Sequence, residues 1–281
     1  MLRQRIVTAV VLLLVLLPAL FYPSPTPFCA LAIVFIAAAA WEWARLAAYG
    51  PAASLGAGGV CALACVAAWS AGWLYRPLSW LWVVAALVWV LGGAWLLRGG
   101  AASWLRLPRP VRLGSGVLLL VVAWLAVAQA RVTGINFLLS ILVLVWVADI
   151  FAYFAGRTWG GRMVGRKLAP SISPGKSWEG VWGGMAGVVV LAFCWRWADT
   201  ALQPLAPSLF SHLSEGKPWL VALAAVWLAG MSVVGDLVES LVKRAAAVKD
   251  SSGLLPGHGG VLDRIDALLP TLPLAMLLHS L

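Results

Sequence analysis

The sequence predicts an all-α, polytopic integral membrane protein with about nine transmembrane helices. Of its 281 residues, 63% are hydrophobic and only 11% are charged, and the mean hydropathy of +0.95 lies far above that of soluble domains. Apolar runs of about twenty residues, the length that crosses a hydrocarbon core of ~30 Å, recur along the chain. Lipid offers no partners for backbone amides, so the spans must be helices or a closed barrel. Continuous apolar runs lack the alternation of barrel strands.

The predicted spans follow one another through short connections, apart from two longer polar segments at residues 156–177 and 241–260. We expect the first apolar run to remain as a span, because no Ala-x-Ala-like cleavage site with a polar start follows it. The spans are expected near residues 6–22, 28–48, 55–75, 78–97, 114–131, 135–155, 178–197, 219–240 and 261–281.

Basic residues are unevenly divided between the two sides of the predicted bundle. With the N-terminus in the cytoplasm, most of the 20 Lys and Arg residues fall on cytoplasmic connections, as the positive-inside rule requires. The net charge of +10 is then explained by membrane topology, and it also favours contact with anionic membrane lipids. We therefore expect no nucleic-acid partner. The compact chain favours a bacterial inner membrane.

The density of ionisable side chains divides the chain into two regions. The first five spans contain almost none between their ends apart from Glu42, whereas acids and bases accumulate from Asp149 onward. Charged groups near a bilayer are costly and usually serve function. We therefore predict a transmembrane scaffold at residues 1–133 and a transmembrane region that carries the chemistry at residues 134–281.

Acidic residues concentrate near the carboxyl terminus, where five of the ten lie between positions 236 and 266. Asp236, Glu239 and Lys243 share one stripe of a helix, and Asp263 and Asp266 repeat the i, i+3 spacing. Carboxylates from two helices suit a hard cation such as Mg²⁺, so the predicted metal ligands are Asp236, Glu239, Asp263 and Asp266. The alternative is a set of interhelical salt bridges.

The connection between these acids is rich in glycine. Gly259 and Gly260 precede a helix start, where backbone N–H groups favour negative charge, so we expect their amides to bind phosphate. The cations expected to neutralise the phosphate charge are Lys243, Arg244, Lys249 and Arg264. An ordinary turn is the alternative interpretation.

A basic connection upstream ends at a predicted helix start. Gly175-Lys176-Ser177 resembles the end of a P-loop, but Pro170 occupies the position of its first glycine and no strand precedes it. We therefore expect Ser177 to cap the next helix and Lys176 to contact a phosphate. A loop that only sets topology is the alternative.

Two blocks of residues resemble one known family. The stretch Ser240-Leu-Val-Lys-Arg, Lys249-Asp250, Pro256-Gly-His-Gly-Gly and Asp263-Arg-Ile-Asp266 is similar to the signature of CDP-diacylglycerol synthases, also called phosphatidate cytidylyltransferases. The segment from Asp149 to Gly180 resembles a second block, although Ile150-Phe151 departs from the small or hydroxylated residues expected there. The resemblance implies a magnesium-dependent, dimeric membrane enzyme that joins CTP and phosphatidic acid to give CDP-diacylglycerol and pyrophosphate.

The resemblance also implies roles for individual residues. By this resemblance the acidic positions of the signature are Asp236, Asp250, Asp263 and Asp266, and its basic positions are Lys243, Arg244, Lys249 and Arg264. The predicted catalytic set is Asp263, Asp266, Asp250, Lys249 and His258.

Direct displacement at the α-phosphorus of CTP is the predicted mechanism. The second pKa of a phosphate monoester is ~6, so the lipid phosphate is largely dianionic at neutral pH and can attack without a general base. A covalent relay through His258 is the alternative mechanism. An ion-coupled transporter that uses the acidic cluster as a cation site is the alternative function. A transporter should place its charges near the bilayer midplane, whereas these lie mainly at one face.

Overall fold

The computed structural model describes residues 2–214 and 218–281. Its helices are α1 (Leu2–Phe21), α2 (Thr26–Leu46), α3 (Pro51–Ser70), α4 (Ser79–Leu87), α5 (Gly93–Arg106), α6 (Arg109–Thr133), α7 (Ile135–Trp159), α8 (Trp178–Leu202), α9 (Leu209–Leu213), α10 (Pro218–Ala245), α11 (Leu262–Ile265) and α12 (Leu268–His279). A 3₁₀ turn covers Trp73–Tyr75, and a π-helical turn at Val88–Gly92 joins α4 to α5. Strands β1 (Lys167–Ala169) and β2 (Ser173–Ser177) form an antiparallel hairpin.

The described ranges contain eight helical segments that are long and apolar enough to cross a bilayer, which confirms the all-α membrane fold. These segments are α1, α2, α3, the continuous run from Ser79 to Arg106, α6, α7, α8 and α10. Each coincides with one of the first eight predicted spans. The short hairpin in the 156–177 connection was not predicted, because its residues carry no alternating apolar pattern.

The ninth predicted span, near 261–281, differs from the prediction. It is divided into the four-residue α11 and the twelve-residue α12, and the φ and ψ angles of Asp266 and Ala267 between them stay helical. The break follows from Pro270, whose ring crowds the carbonyl four residues earlier, that of Asp266. Helix α12 lies inside the bundle against α4, α6 and α10, and most of its residues are buried.

Gly235 of α10 allows the turn at Asp266 to pack closely. A Cβ atom at position 235 would lie 2.4 Å from the Asp266 carbonyl oxygen and 2.8 Å from Cδ of Pro270. Backbone and ring atoms cannot move aside as a flexible side chain can. Because Gly235 has no side chain, α10 can pack directly against the backbone at Asp266.

Gly235→Ala is expected to lower the melting temperature of the protein and its activity, because relieving the clash costs about 1–3 kcal/mol. Gly230→Ala on the same helix is the matched control, since its new methyl would meet only the flexible end of Met185 at 3.1 Å. Both changes raise helix propensity equally. Thermal unfolding in detergent checks the prediction, and equal melting temperatures for the two variants would contradict it.

Helices α7 and α8 form the other close pair that positions the site. A Cβ at Gly183 would lie 2.2 Å from Cβ of Ala155, and one at Gly184 would lie 2.8 Å from the Ala148 carbonyl oxygen. Small residues let helix backbones approach in this way within a membrane. The close approach brings the first turn of α8 beside the end of α7 and thus shapes one wall of the site.

Candidate active site

The glycine-rich connection forms a tight, hydrogen-bonded loop between α10 and α11. Gly257 and Gly259 have φ angles of +77° and +85°, which residues with a side chain rarely adopt. The His258 amide donates to the Leu255 carbonyl at 2.8 Å, and the Leu255 amide donates to the Gly259 carbonyl at 2.8 Å. The loop therefore holds a defined shape before any ligand is added.

Asp263 connects several parts of this loop through hydrogen bonds and an ion pair. Its Oδ2 accepts hydrogen bonds from the Gly260 amide at 2.8 Å, the Ser251 amide at 3.0 Å and the Ser251 hydroxyl at 2.9 Å. Its Oδ1 lies 2.6 Å from Nζ of Lys243. Burial alone would raise the pKa of Asp263, but these hydrogen bonds outweigh burial and lower it to about 2. The carboxylate is thus ionised and occupied by protein donors.

Glu42 of α2 supports the same loop from the amino-terminal half. Its side chain is fully buried. Its carboxylate accepts hydrogen bonds from the amides of Val261 at 3.0 Å and Leu262 at 2.7 Å, and from the hydroxyls of Ser251 and Ser252. A carboxylate thereby caps the first amides of α11, as favoured at a helix N-terminus.

These contacts correct the expectation for the Gly260 amide, whereas the expectation for the Gly259 amide stays a prediction. The N–H groups of Gly260, Val261 and Leu262 donate to Asp263 and Glu42, so they are not free to bind a phosphate. The protein supplies its own carboxylates where an external anion was predicted. A Cβ at Gly260 would lie 2.0 Å from the Ser251 hydroxyl, so the glycine is required for close packing.

Lys243 links the loop to α10. Its ammonium group forms ion pairs with Asp263 and with Glu239, one turn earlier on the same helix. Glu239 is almost completely buried, so its carboxylate relies on the Lys243 ammonium as its charged partner. Lys243 therefore bridges two of the four predicted metal ligands.

The other two predicted metal ligands are Asp236 of α10 and Asp266, which directly follows α11. Oδ2 of Asp236 is 2.5 Å from Nζ of Lys176, at the end of the β-hairpin. Burial, together with the negative charge of Asp236, raises the pKa of Asp266 to about 7. One oxygen of Asp266 accepts from the Ala267 amide at 2.7 Å. The two carboxylates are thus close enough to disfavour each other's charge.

The predicted cage of four carboxylates around one ion is not formed. Across residues 2–214 and 218–281, no three His, Cys, Asp or Glu side chains lie in an arrangement that holds a metal. Glu239 and Asp263 instead share Lys243, and Asp236 pairs with Lys176 of the hairpin.

A polar cavity of about 370 Å³ opens beside the Lys176–Asp236 pair. It lies between α7, α8, α10 and the end of β2. Its polar lining residues are Asp149, Tyr153, Arg157, Lys176, Ser177 and Asp236. The block from Asp149 to Gly180 and Asp236 of α10 therefore contribute to one concave surface, which mixes cationic and acidic groups.

The start of α8 has the predicted N-cap and an unpredicted contact with the segment that precedes the hairpin. The Ser177 hydroxyl accepts from the Gly180 amide at 3.2 Å, which confirms that Ser177 is the N-cap. Glu179, which is buried, accepts from the amides of Met163 and Val164 at 3.0 and 3.1 Å. It thereby ties the segment that precedes the hairpin to α8.

The remaining predicted site residues lie on the loop and around it. Arg244 donates from Nε to the Ile172 carbonyl at 3.3 Å and so joins α10 to the hairpin. Arg264 donates from Nε and Nη2 to the His258 carbonyl at 3.0 and 2.7 Å. Lys249 and Asp250 are exposed at the beginning of the loop. Their predicted roles toward CTP stay predictions.

Sequence reasoning did not assign Glu42 or Glu179 to the site. Glu42 did carry a signal, because it is an isolated acid within an otherwise uncharged span. Its contact with the loop also means that the predicted division at residues 133 and 134 does not separate the site from the first region. That division stays a prediction.

Comparison with known proteins identifies relatives of the whole chain. The cytidylyltransferase family matches residues 3–281. A phosphatidate cytidylyltransferase of Pseudomonas aeruginosa is 39% identical over 284 residues, covering 97% of this chain and 95% of that protein. One from Haemophilus influenzae is 46% identical over 148 residues, covering 50% of this chain and 44% of that protein. The chain belongs to the cytidylyltransferase family.

Proposed function

We propose that the protein transfers the cytidylyl group of CTP to phosphatidic acid and releases pyrophosphate, forming CDP-diacylglycerol. The observation that carries the proposal is the polar cavity, in which Lys176 pairs with Asp236 beside Asp266, because it offers both cations for phosphates and carboxylates for a metal. The relatives named phosphatidate cytidylyltransferase support the same chemistry. The transporter alternative gains no support from these relatives.

Mg²⁺ is the proposed cofactor, with Asp236 and Asp266 as its protein ligands. The donor set fits, because Mg²⁺ commonly uses one or two carboxylates and completes its shell with water and substrate phosphates. Burial, together with repulsion by Asp236, raises the pKa of Asp266 to about 7, and a bound cation would relieve that repulsion. Bound magnesium supplies charge neutralisation for nucleotide phosphates. Asp263 is excluded from this proposal because protein donors occupy both of its oxygens.

The chain's own residues would then bind and orient the two substrates. Lys176 and Arg157 line the cavity and can hold phosphate oxygens of CTP in a fixed position, which favours in-line displacement. The dianionic lipid phosphate attacks the α-phosphorus, and pyrophosphate departs with the electron pair of the broken bond. No side chain forms a covalent intermediate in this scheme. Isolation of a cytidylylated protein from labelled CTP without lipid would favour the His258 relay instead.

The placement of the protein in the cell is also proposed. The charge distribution supports an N-terminus and an active site in the cytoplasm of a bacterium, with the chain in the inner membrane. A homodimer is proposed as the working form, on the basis of the family resemblance.

The deciding experiment combines the purified protein with CTP, phosphatidic acid and magnesium and measures pyrophosphate and nucleotide-bearing lipid together. Equal amounts of both products support the proposal. The transporter alternative predicts solute uptake into liposomes without release of pyrophosphate. Absence of both products from correctly folded protein would overturn the proposed function.

Asp236→Asn is expected to raise the magnesium concentration needed for half-maximal activity by about tenfold or more, because it removes one charged metal ligand. Asp199→Asn is the matched control, since Asp199 is a partly buried acid that bonds only to Asn136, Ser208 and Ser211 among its described partners, away from the site. Magnesium titrations of the initial rate check the prediction. An unchanged magnesium requirement in Asp236→Asn would contradict the metal assignment.

A further inference from the structure

Arg112 is a buried cation near the start of α6. Only 9% of its surface is exposed, and its Nε atom is buried without an acceptor among the described residues. The salt bridges within residues 2–214 and 218–281 involve Lys176 and Lys243, so none of them neutralises this guanidinium. A buried charge is costly unless an ion of opposite sign accompanies it. The burial of Arg112 therefore indicates a bound anion.

Arg131, at the other end of α6, shows how this protein satisfies a buried arginine. Its exposed fraction is 5%. Its Nε donates to the Leu20 carbonyl at 3.0 Å, and its Nη2 donates to the Tyr22 carbonyl at 2.5 Å. One helix thus carries two buried guanidinium groups. The chain supplies acceptors to Arg131, whereas the described part of the chain supplies none to Nε of Arg112.

A second donor that lacks a described acceptor lies near Arg112. Trp43 of α2 donates from Nε1 to the Arg112 carbonyl at 2.8 Å, and its ring lies edge-to-face with the ring of Trp104 in α5, with 5.5 Å between the centroids. Nε1 of Trp104 is buried and has no hydrogen-bond partner among the described residues. Trp43 therefore contacts two residues whose N–H donors are unpaired. An oxyanion beside α5 and α6 would supply acceptors of the kind that both donors lack.

The sequence around Arg112 is cationic. Between Glu42 and Asp149 it contains several arginines but no Asp or Glu. Arg109 is exposed and precedes Arg112 by about one helical turn, so the two side chains extend from the same face. Among the described residues no side chain caps the first turn of α6, whose amides favour negative charge. The anion therefore has to come from outside this part of the chain.

The position of Arg112 suits a lipid headgroup. Helix α6 is long and apolar enough to cross a bilayer, and Arg112 lies in its first turns. The nearby side chains of Leu105 and Val111 are apolar and are 54% and 48% exposed, as expected of a surface that faces lipid. The polar cavity lies elsewhere, between α7, α8, α10 and the end of β2. An anion at Arg112 is therefore separate from the substrates proposed above.

We propose that Arg112, together with Arg109, binds the phosphate of an anionic phospholipid in the leaflet on the side of the catalytic loop. The inference is independent of the proposed activity. A guanidinium donates paired hydrogen bonds to phosphate oxygens, and basic pockets between transmembrane helices suit anionic headgroups. A zwitterionic headgroup carries its own cation and binds less well. Because Trp43 directly follows Glu42 in α2, the lipid is held beside the helix that supports the loop.

The first test measures thermal unfolding in a neutral detergent during titration with phosphatidylglycerol. A ligand that binds only the folded protein raises its melting temperature. Arg112→Met should increase the phosphatidylglycerol concentration needed for half of the maximal rise by about tenfold or more, because it removes charge-assisted hydrogen bonds. Without added lipid, Arg112→Met should melt no lower than wild type, because it removes a buried charge that lacks a described partner. A role in packing alone predicts a lower melting temperature and an unchanged response to lipid.

Two matched variants test whether the loss of any arginine has the same effect. Arg131→Met removes the buried arginine whose donors are paired, so it should melt lower than wild type but keep the response to phosphatidylglycerol. Arg98→Gln removes an exposed charge from the same stretch without acidic residues, and it should also keep the response. An unchanged response in Arg112→Met, or an equal loss in Arg98→Gln, would overturn the proposal.

The unaltered protein separates the possible sources of the phosphate. Phosphatidylglycerol should raise its melting temperature, whereas phosphatidylcholine should not. Equal effects of the two lipids would identify bulk lipid as the cause and would overturn the proposal. Inorganic phosphate that gives the same Arg112-dependent rise without lipid would overturn the lipid assignment in favour of a free anion.

Discussion

Glu42→Ala is expected to lower the free energy of unfolding by about 4 kcal/mol and to abolish activity. The carboxylate accepts from two amides and two hydroxyls, all near the start of α11. Each buried donor left without an acceptor costs about 1–3 kcal/mol. Thermal unfolding in detergent, followed by tryptophan fluorescence, and the rate of nucleotide-lipid formation check the two effects.

Two further variants separate the role of Glu42 from the loss of any buried polar group. Ser54→Ala removes a fully buried hydroxyl that makes one long hydrogen bond of 3.4 Å to the Tyr49 carbonyl, and it should cost below about 1 kcal/mol. Glu42→Gln keeps the shape and one acceptor oxygen, so its stability should fall between wild type and Glu42→Ala. A stable, active Glu42→Ala protein would show that the loop does not depend on this residue.

Asp263→Asn is expected to reduce the rate of nucleotide-lipid formation by about 10²–10³-fold, equivalent to about 3–4 kcal/mol. The amide cannot neutralise Lys243, and its NH₂ group would face N–H donors from Gly260 and Ser251 if placed at Oδ2. Initial rates with saturating CTP and magnesium measure the loss. Because this effect comes from loop geometry, added magnesium should not restore activity.

The pH dependence of this effect follows from the pKa of Asp263, which is lowered to about 2. A depressed carboxyl pKa stabilises the folded state above the unfolded pKa of ~3.9, and that contribution is lost as pH falls toward 2. Between pH 6 and 8 the ratio of wild-type to Asp263→Asn rates should therefore be constant. The double variant Asp263→Asn with Lys243→Met should be less stable than Asp263→Asn, because it leaves the buried Glu239 carboxylate without its cationic partner. Full activity in Asp263→Asn would show that activity does not depend on the contacts of Asp263.

The membrane fold was largely predictable, because each span is a continuous apolar run whose length matches the bilayer. The exception is the last run, where hydropathy alone cannot register how Pro270 interrupts the helix at Asp266. The hairpin at Lys167–Ala169 and Ser173–Ser177 was also missed, since a short strand in a polar connection leaves no periodic signal.

Composition and spacing indicated candidate acidic and basic residues, but they could not show which of these residues contact one another. Spacing showed that Asp263 and Asp266 share a helical face, but it could not show that Asp263 turns toward Lys243 while Asp266 faces Asp236. Spacing likewise could not show that loop amides meet Glu42, because that pairing joins helices far apart in sequence. Tertiary packing decides which donors each carboxylate meets.

The long-range pairing of Glu42 has a consequence for biogenesis. Its partners Ser251 and Leu262 lie 209 and 220 positions further along the chain. During synthesis, α2 is made well before the loop. Glu42 therefore lacks these hydrogen-bond donors until the loop and α11 have been made. We therefore expect a chain that ends before Ser251 to contain a buried Glu42 carboxylate without these donors.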